Sequence, residues 1–331
     1  MSNRILAVLA AIAAIVLGPD VLDRGFAPEA LAQTRVTIKS ATTGTSYFLM
    51  AVEIGEALRA ASGGRISPTI EESQGSVQNL KEAPRRLGNY VFTTPPGLLA
   101  DAAAGKAPFA GETGYEEVQA LFPLPGITMH WIVRADAGVQ DFADLAGKDF
   151  IPGGRGTAGL RLTVAAFRAL GLEGHVRLAD TELAAAPAAV RNRQMAGYAT
   201  ASSHPSPQVQ DLIATTAIRL LSLSPQQLAL VQLIDPGAVA VVIPRGTYSG
   251  VDYDVTTLSV PVGAYTTTRM DEATAYAVTR AFWESREGLV RRNPWWGAVT
   301  RDMLATLGGR LHPGALRYYT EARFDVPPAA R

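Results

Sequence analysis

The stretch Pro152-Gly153-Gly154-Arg155-Gly156-Thr157-Ala158-Gly159 packs four glycines into eight residues, between an apolar run ending at Ile151 and a helical pattern from Leu160 to Leu170. That order fits a strand-to-helix junction. Glycine allows the backbone to turn sharply and approach a ligand, and the first helical turn leaves N–H groups without intrahelical acceptors. The helix dipole adds partial positive charge at the same point, so the junction is suited to an anion. A chain built around such a turn is committed to alternating strands and helices.

Gly154, Gly156 and Gly159 satisfy G-x-G-x-x-G, and a strand-like His175-Val176-Arg177-Leu178 ends near Asp180, close to where a ribose-binding acid would sit. On its own this reads as a nicotinamide-dinucleotide oxidoreductase using Gly154 to Gly159. Three other features point elsewhere.

The first is the N-terminus. Arg4 precedes an apolar run from Ile5 to Gly18, and Ala30-Leu31-Ala32 follows before Gln33. A basic start, a short apolar stretch and an A-x-A site describe a secretory signal peptide over 1–32, cleaved after Ala32, with the chain exported to a periplasm. The run falls short of the ~20 residues of a membrane-spanning helix. An uncleaved anchor is the alternative that the polar insert Pro19 to Arg24 leaves open. Nicotinamide cofactors are not normally available outside the cytoplasm.

The second feature is repetition of the junction. Strand-like Arg35 to Ser40 leads through Ala41-Thr42-Thr43-Gly44-Thr45-Ser46-Tyr47 into a helix whose apolar face is read as Phe48, Val52, Gly55 and Leu58. Strand-like Ile66 to Glu71 leads through Glu72-Ser73-Gln74-Gly75 into another, with Ser76 expected as its N-cap and Pro84 near its end. With the glycine turn, three N–H-presenting loops fall at strand ends, where open α/β sheets bind ligands.

The third is chain order. Thr128 to Arg134 reads as a strand crossing into a separate α/β unit, and strand-like Ala238 to Ile243 and Thr256 to Val262 return to the first sheet. The expected architecture is a two-lobed α/β fold, with lobe 1 formed by 33–130 plus 235–331 and lobe 2 by 131–234. Two crossings between the lobes form a hinge that can close around a ligand. The glycine turn then sits in the inserted lobe, not at a domain start.

Composition narrows the function classes. The 331 residues carry 30 acidic and 30 basic side chains and no cysteine, which removes disulfides, thiolate nucleophiles and any electrostatic footprint for nucleic acid. The four histidines are scattered, without H-E-x-x-H or another metal spacing, and there is no G-x-S-x-G elbow. The reading is a non-enzyme with no cofactor, no metal and no nucleic-acid partner, acting as a monomer.

Several segments then align with one family. Gln74-Gly75-Ser76-Val77-Gln78-Asn79-Leu80, Asp136-Ala137-Gly138-Val139 with Asp144-Leu145-Ala146-Gly147-Lys148, Ile243-Pro244-Arg245-Gly246-Thr247-Tyr248-Ser249-Gly250 and Leu311-His312-Pro313-Gly314-Ala315 occur in the order and spacing of the TAXI-type solute receptors of TRAP transporters. The chain resembles that family from about Val36 to about Ala322. The resemblance implies a type II periplasmic-binding-protein fold, a small organic acid or amino acid as ligand, and delivery to a TRAP-type membrane permease. A sensory receptor of the same fold is the alternative. By position, the family's ligand loops fall on Thr43 to Tyr47 (Thr43, Gly44, Thr45, Tyr47), on Gln74, Gly75, Ser76 and Asn79, and on Gly154 to Thr157. The family's usual G-S-G-T-E turn appears here as Gly154-Arg155-Gly156-Thr157-Ala158, and Leu124-Pro125-Gly126 interrupts its usual crossover segment.

The individual residues each have two readings. Arg155 can clamp a carboxylate with its planar fork or stand solvated on an exposed loop. Gly156, Thr157 and Ser76 can meet a ligand through N–H or hydroxyl groups, or simply shape and cap helices. Ser202, Ser203 and His204, at a strand end, can face the ligand, or His204 can brace a turn. Tyr47 and Tyr248 can wall the cleft or pack in the core, and Trp295-Trp296 can form a partner patch or seal the C-terminal helices.

Overall fold

Runs of β-branched and aromatic residues form ten strands of one sheet in the computed structural model, which describes residues 33–331; the expected signal segment 1–32 lies outside the described residues. The strands are β1 (Thr34–Lys39), β2 (Ile66–Glu71), β3 (Tyr90–Thr94), β4 (Val118–Arg134), β5 (Asp149–Ile151), β6 (Arg177–Leu178), β7 (Gly197–Ser202), β8 (Ile218–Leu220), β9 (Val239–Ile243) and β10 (Val255–Thr267). The helices are α1 (Ser46–Ala61), α2 (Ser76–Glu82), α3 (Pro96–Ala103), α4 (Ala158–Ala169), α5 (Ala186–Arg191), α6 (Pro207–Ile213), α7 (Pro225–Ile234), α8 (Glu272–Arg292) and α9 (Pro313–Glu321).

The strand order is β2-β1-β3-β10-β4-β7-β5-β6, with β8 on β4 and β9 on β10. Two parallel groups, β2-β1-β3 and β7-β5-β6, are joined through antiparallel β10 and β4. Both joining strands are long, at 13 and 17 residues. The Val118–Thr128 part of β4 lies along β10, and its Thr128–Arg134 part lies along β7 and β8. Parallel pairing requires a crossover between strands, and α1, α2 and α4 supply three of them. The two groups run in opposite directions, so their carboxyl ends, and with them these helix N-termini, face one another where β4 passes from β10 to β7 at Thr128.

Several local expectations need correction. The crossing strand read from Thr128 begins earlier, at Val118, and Leu124-Pro125-Gly126 lies within it. Val260 pairs with Ile127 and Val262 with Leu124, so a bulge absorbs Pro125 and Gly126. At Gly126 a Cβ would stand 2.7 Å from Ser259 Oγ, which makes glycine the residue this bulge accepts. In α1 the core face is Met50, Ala51, Ile54 and Leu58, while Phe48 and Val52 are only half-buried. Ser76 is the first residue of α2 and the cap position belongs to Gly75, so the Ser76 hydroxyl caps nothing. Between β6 and β7 a 3-10 turn, Leu183–Ala185, leads into α5, with Pro187 in the first turn. β9 adds to β10 alone and not to the β2-β1-β3 group.

The main core runs along the sheet from Val36 and Ile38 to Trp131 and Phe150, and the C-terminal helices close over it. Trp295 and Trp296 are buried there, and Trp296 Nε1 donates to Glu53 Oε2 at 2.7 Å, tying the C-terminal segment to α1. A smaller core on Ile132, Ile151, Tyr198 and Leu220 includes Tyr248, the packing side of its two readings.

Candidate functional site

Three loop-to-helix junctions meet at one cavity. Its walls come from Ser40, Ala41, Thr42, Thr45 and Tyr47 after β1, from Gln74 to Ser76 after β2, and from Thr157-Ala158 after β5, with Thr93, Ile127, Leu183 and Ala201 completing them. The cavity volume is about 40 Å³, and none of the lining side chains carries a charge. Negative charge placed there would be met by the first-turn N–H groups of α1, α2 and α4 and by hydroxyls, not by a cation.

The loops are held by their own polar side chains. Thr45 caps α1 by accepting from Phe48 N–H at 3.3 Å and donates to Thr42 O at 2.7 Å. Thr157 does the same for α4, accepting from Leu160 N–H at 2.9 Å and donating to Gly153 O at 2.7 Å. Asn79 is fully buried beneath the cavity, and its amide donates to Ser40 O at 2.6 Å and Thr93 O at 3.0 Å, fastening the ends of β1 and β3.

Below the second loop, Gln74 N–H donates to Gln78 Oε1, Gln78 Nε2 donates to Glu82, and buried Lys39 holds Glu82 at 2.8 Å. Burial raises the Glu82 pKa, but hydrogen bonds from Lys39 and Gln78, with the charges of Lys39 and Arg86, outweigh it and hold the carboxyl below its usual value.

The walls touch each other directly. Val77 N–H in the first turn of α2 donates to Gly156 O at 3.0 Å. Ser46 Oγ lies 2.7 Å from Ser202 Oγ and accepts Ser203 N–H at 2.9 Å. Gly75 has φ +128°, and a Cβ there would lie 3.5 Å from Thr157 Cα. Tyr47 is buried with its hydroxyl donating to Pro125 O, and burial pushes its phenol pKa far above the ordinary value against a smaller opposing effect of Ser203.

The residues expected from sequence therefore separate into groups. Thr45, Tyr47, Gln74, Gly75, Ser76 and Thr157 line the cavity, and Gly156 forms the contact with α2. Thr43 and Gly44 form the exposed loop tip, beside a second opening of about 220 Å³ that Arg191 and Asp211 also line.

Arg155 points away. Gly154 and Gly156 flank it with φ of +78° and +70°, and its guanidinium is exposed, with Nε 2.7 Å from Asp180 Oδ1. Asp180, the acid that a ribose would need, pairs with Arg155 on the surface, and the strand before it is two residues long at the sheet edge. Ser202 and Ser203 are buried behind the cavity, and half-buried His204 lies 3.1 Å from Thr128 Oγ1. Nearby, His130 Nε2 lies 2.8 Å from Tyr248 Oη, which accepts Ser206 N–H at 2.7 Å. Ser40, Thr93, Ile127, Leu183 and Ala201 escaped the sequence reading. Ser40 could have been found as the residue closing β1, whereas Leu183 and Ala201 carry no local signal.

Among the described residues, no group of three or more His, Asp or Glu is placed to hold a metal, and no helix is long and apolar enough to cross a membrane. Two parallel strand groups joined by long crossing strands, with helix N-termini converging at the join, define the fold of the periplasmic solute-binding proteins. The chain belongs to the NMT1-like family, whose sequence profile matches residues 38–322. Among solved structures it is similar to the periplasmic binding protein BugD, at TM-score 0.56 and 12% identity over 89% of this chain and 99% of that one. It is likewise similar to MatC of Rhodopseudomonas palustris with bound malate, at TM-score 0.56 and 12% identity over 87% and 96% of the two chains. Identities this low carry the fold and leave the ligand to this chain's own residues.

Proposed function

We propose that the protein is an extracytoplasmic solute receptor that captures a small carboxylate or amino acid and delivers it to a TRAP-type membrane permease, as a TAXI-type receptor does. The observation that carries this reading is the convergence of three helix N-termini on one cavity without a charged side chain, an arrangement suited to a small carboxylate held by N–H dipoles. The malate seen in MatC is in keeping with that chemistry. In this reading 33–130 plus 235–331 form one lobe and 131–234 the other, with two crossings between them acting as the hinge, the first along β4. The 40 Å³ cavity then belongs to a nearly closed arrangement that opens to admit solute. Export through the 1–32 segment completes the proposal.

Native mass spectrometry of the protein taken from its own periplasm, with identification of the molecule released on unfolding, tests it. A small organic acid or amino acid supports the reading, and titration calorimetry with that compound then gives its affinity. A released nucleotide, or no heat with any member of a panel of mono- and dicarboxylates and amino acids, overturns it.

A further inference from the structure

Large apolar side chains left on the surface gather in one place. Among the described residues seven are exposed, and five of them, Leu230, Leu233, Ile234, Val239 and Val242, fall on α7 and β9. α7 is apolar around most of its circumference: Val231 is buried and Leu228 packs on the core, yet Leu230, Leu233 and Ile234 face outward. A helix of that kind ordinarily has cover on more than one side. β9, the next element, pairs along one edge with β10, and no strand pairs with its other edge among the described residues. Its sequence Val239-Ala240-Val241-Val242-Ile243 has no lysine, proline or bulge of the kind that guards natural sheet edges. Charge is nearly absent too. From Pro225 to Ile243 the one charged residue is Asp235, paired with Arg161 at 3.0 Å.

We infer that this face is a contact between two copies of the chain, with β9 running antiparallel to β9 of the second copy about a two-fold axis at Val241. An antiparallel edge is complementary to itself, since a two-fold axis sets each N–H and C=O opposite its mate. A patch without charge meets an identical patch without repulsion, while offering an acidic or basic partner nothing to pair with. Pro236 and Pro244 bound the strand, and a two-fold consumes both free edges, so assembly stops at two. Leu230, Leu233 and Ile234 extend the apolar contact beyond the ladder. The sequence reading expected a monomer; in the dimer each copy keeps its own junction cavity.

Sedimentation velocity on the exported protein tests the inference, with twice the chain mass expected. Val242→Lys and Leu233→Glu change side chains that are 47% and 79% exposed in the single chain, so each should give a monomer with an unaltered circular dichroism spectrum. The chain has no cysteine, so Val241→Cys supplies a lone thiol that a short bismaleimide should link to its copy. Leu87→Cys, 83% exposed and outside the patch, should not be linked. A monomer at every concentration, or a dimer that survives both charged substitutions, overturns the proposal. So does a monomer that floats with phosphatidylglycerol vesicles, which would assign the face to lipid.

Discussion

Ser46 Oγ lies 2.7 Å from Ser202 Oγ although 156 residues separate them, and the same oxygen accepts Ser203 N–H at 2.9 Å. One fully buried hydroxyl thus joins the start of α1 to the end of β7. Replacing it by hydrogen in Ser46→Ala strands two buried polar groups, each costing about 1–3 kcal/mol when left unpaired. Urea unfolding should show a loss of that order, and X-ray scattering should show a wider cleft. An unchanged midpoint would mean that water replaces the hydroxyl.

The glycines of the glycine-rich turn differ in what they tolerate from that of the first loop. Gly154 has φ +78°, and a Cβ there would stand 2.7 Å from Leu183 N, whereas Gly44 has φ +87° and open space around it. Gly44→Ala should therefore cost only the left-handed backbone strain of about 1–2 kcal/mol. Gly154→Ala should cost clearly more, because the loop must also move off Leu183. Paired denaturation curves decide; equal costs would contradict the packing argument.

Arg155→Ala should leave both the melting temperature and the ligand titration unchanged, since the side chain is two-thirds exposed and pairs outward with Asp180. Thr157→Ala removes the α4 cap and should lower stability by about 1 kcal/mol. A large loss of affinity in Arg155→Ala alone would show that the guanidinium swings inward to the ligand.

His130 predicts a pH dependence. Burial, then the neighbouring His204 charge, depress its pKa to about 3, against a smaller opposing effect of the Thr128 carbonyl. The unfolded chain holds this proton below its ordinary value near 6.5, and the folded chain does not accept it until about pH 3. The stability it confers is therefore complete above pH 6.5 and falls as the pH drops toward 3, by up to about 1.4 kcal/mol per unit. His130→Gln should flatten the slope of stability against pH over that window relative to wild type. Parallel slopes would rule the residue out as the source.

The sequence disclosed the junctions better than it disclosed the cavity. Glycine, threonine and serine at strand ends announce backbone turns, and Thr45 and Thr157 sit where local chemistry requires. The Pro125–Gly126 bulge was hidden because its reason is a partner strand more than 130 residues away, at Val260 and Val262. Arg155 keeps two readings in the sequence for a similar cause: whether an arginine turns inward depends on the glycines beside it and on Asp180, which only the folded loop brings within reach. Leu183 and Ala201 are ordinary apolar residues whose place in the wall is set by packing, so no pattern marks them.

The hydrogen bond from Val77 N–H to Gly156 O places a resident acceptor on the helix terminus where an incoming anion would dock. That carbonyl acts as a tethered competitor, always present and never dilute. A solute that claims the α2 terminus exchanges one acceptor for another, so weak acceptors such as water or a neutral carbonyl gain little by entering. A full negative charge gains most, because an amide donor binds an ionised acceptor about twice as strongly as a neutral one. Discrimination in favour of charge would then come from what the cleft already holds, not from an added cation.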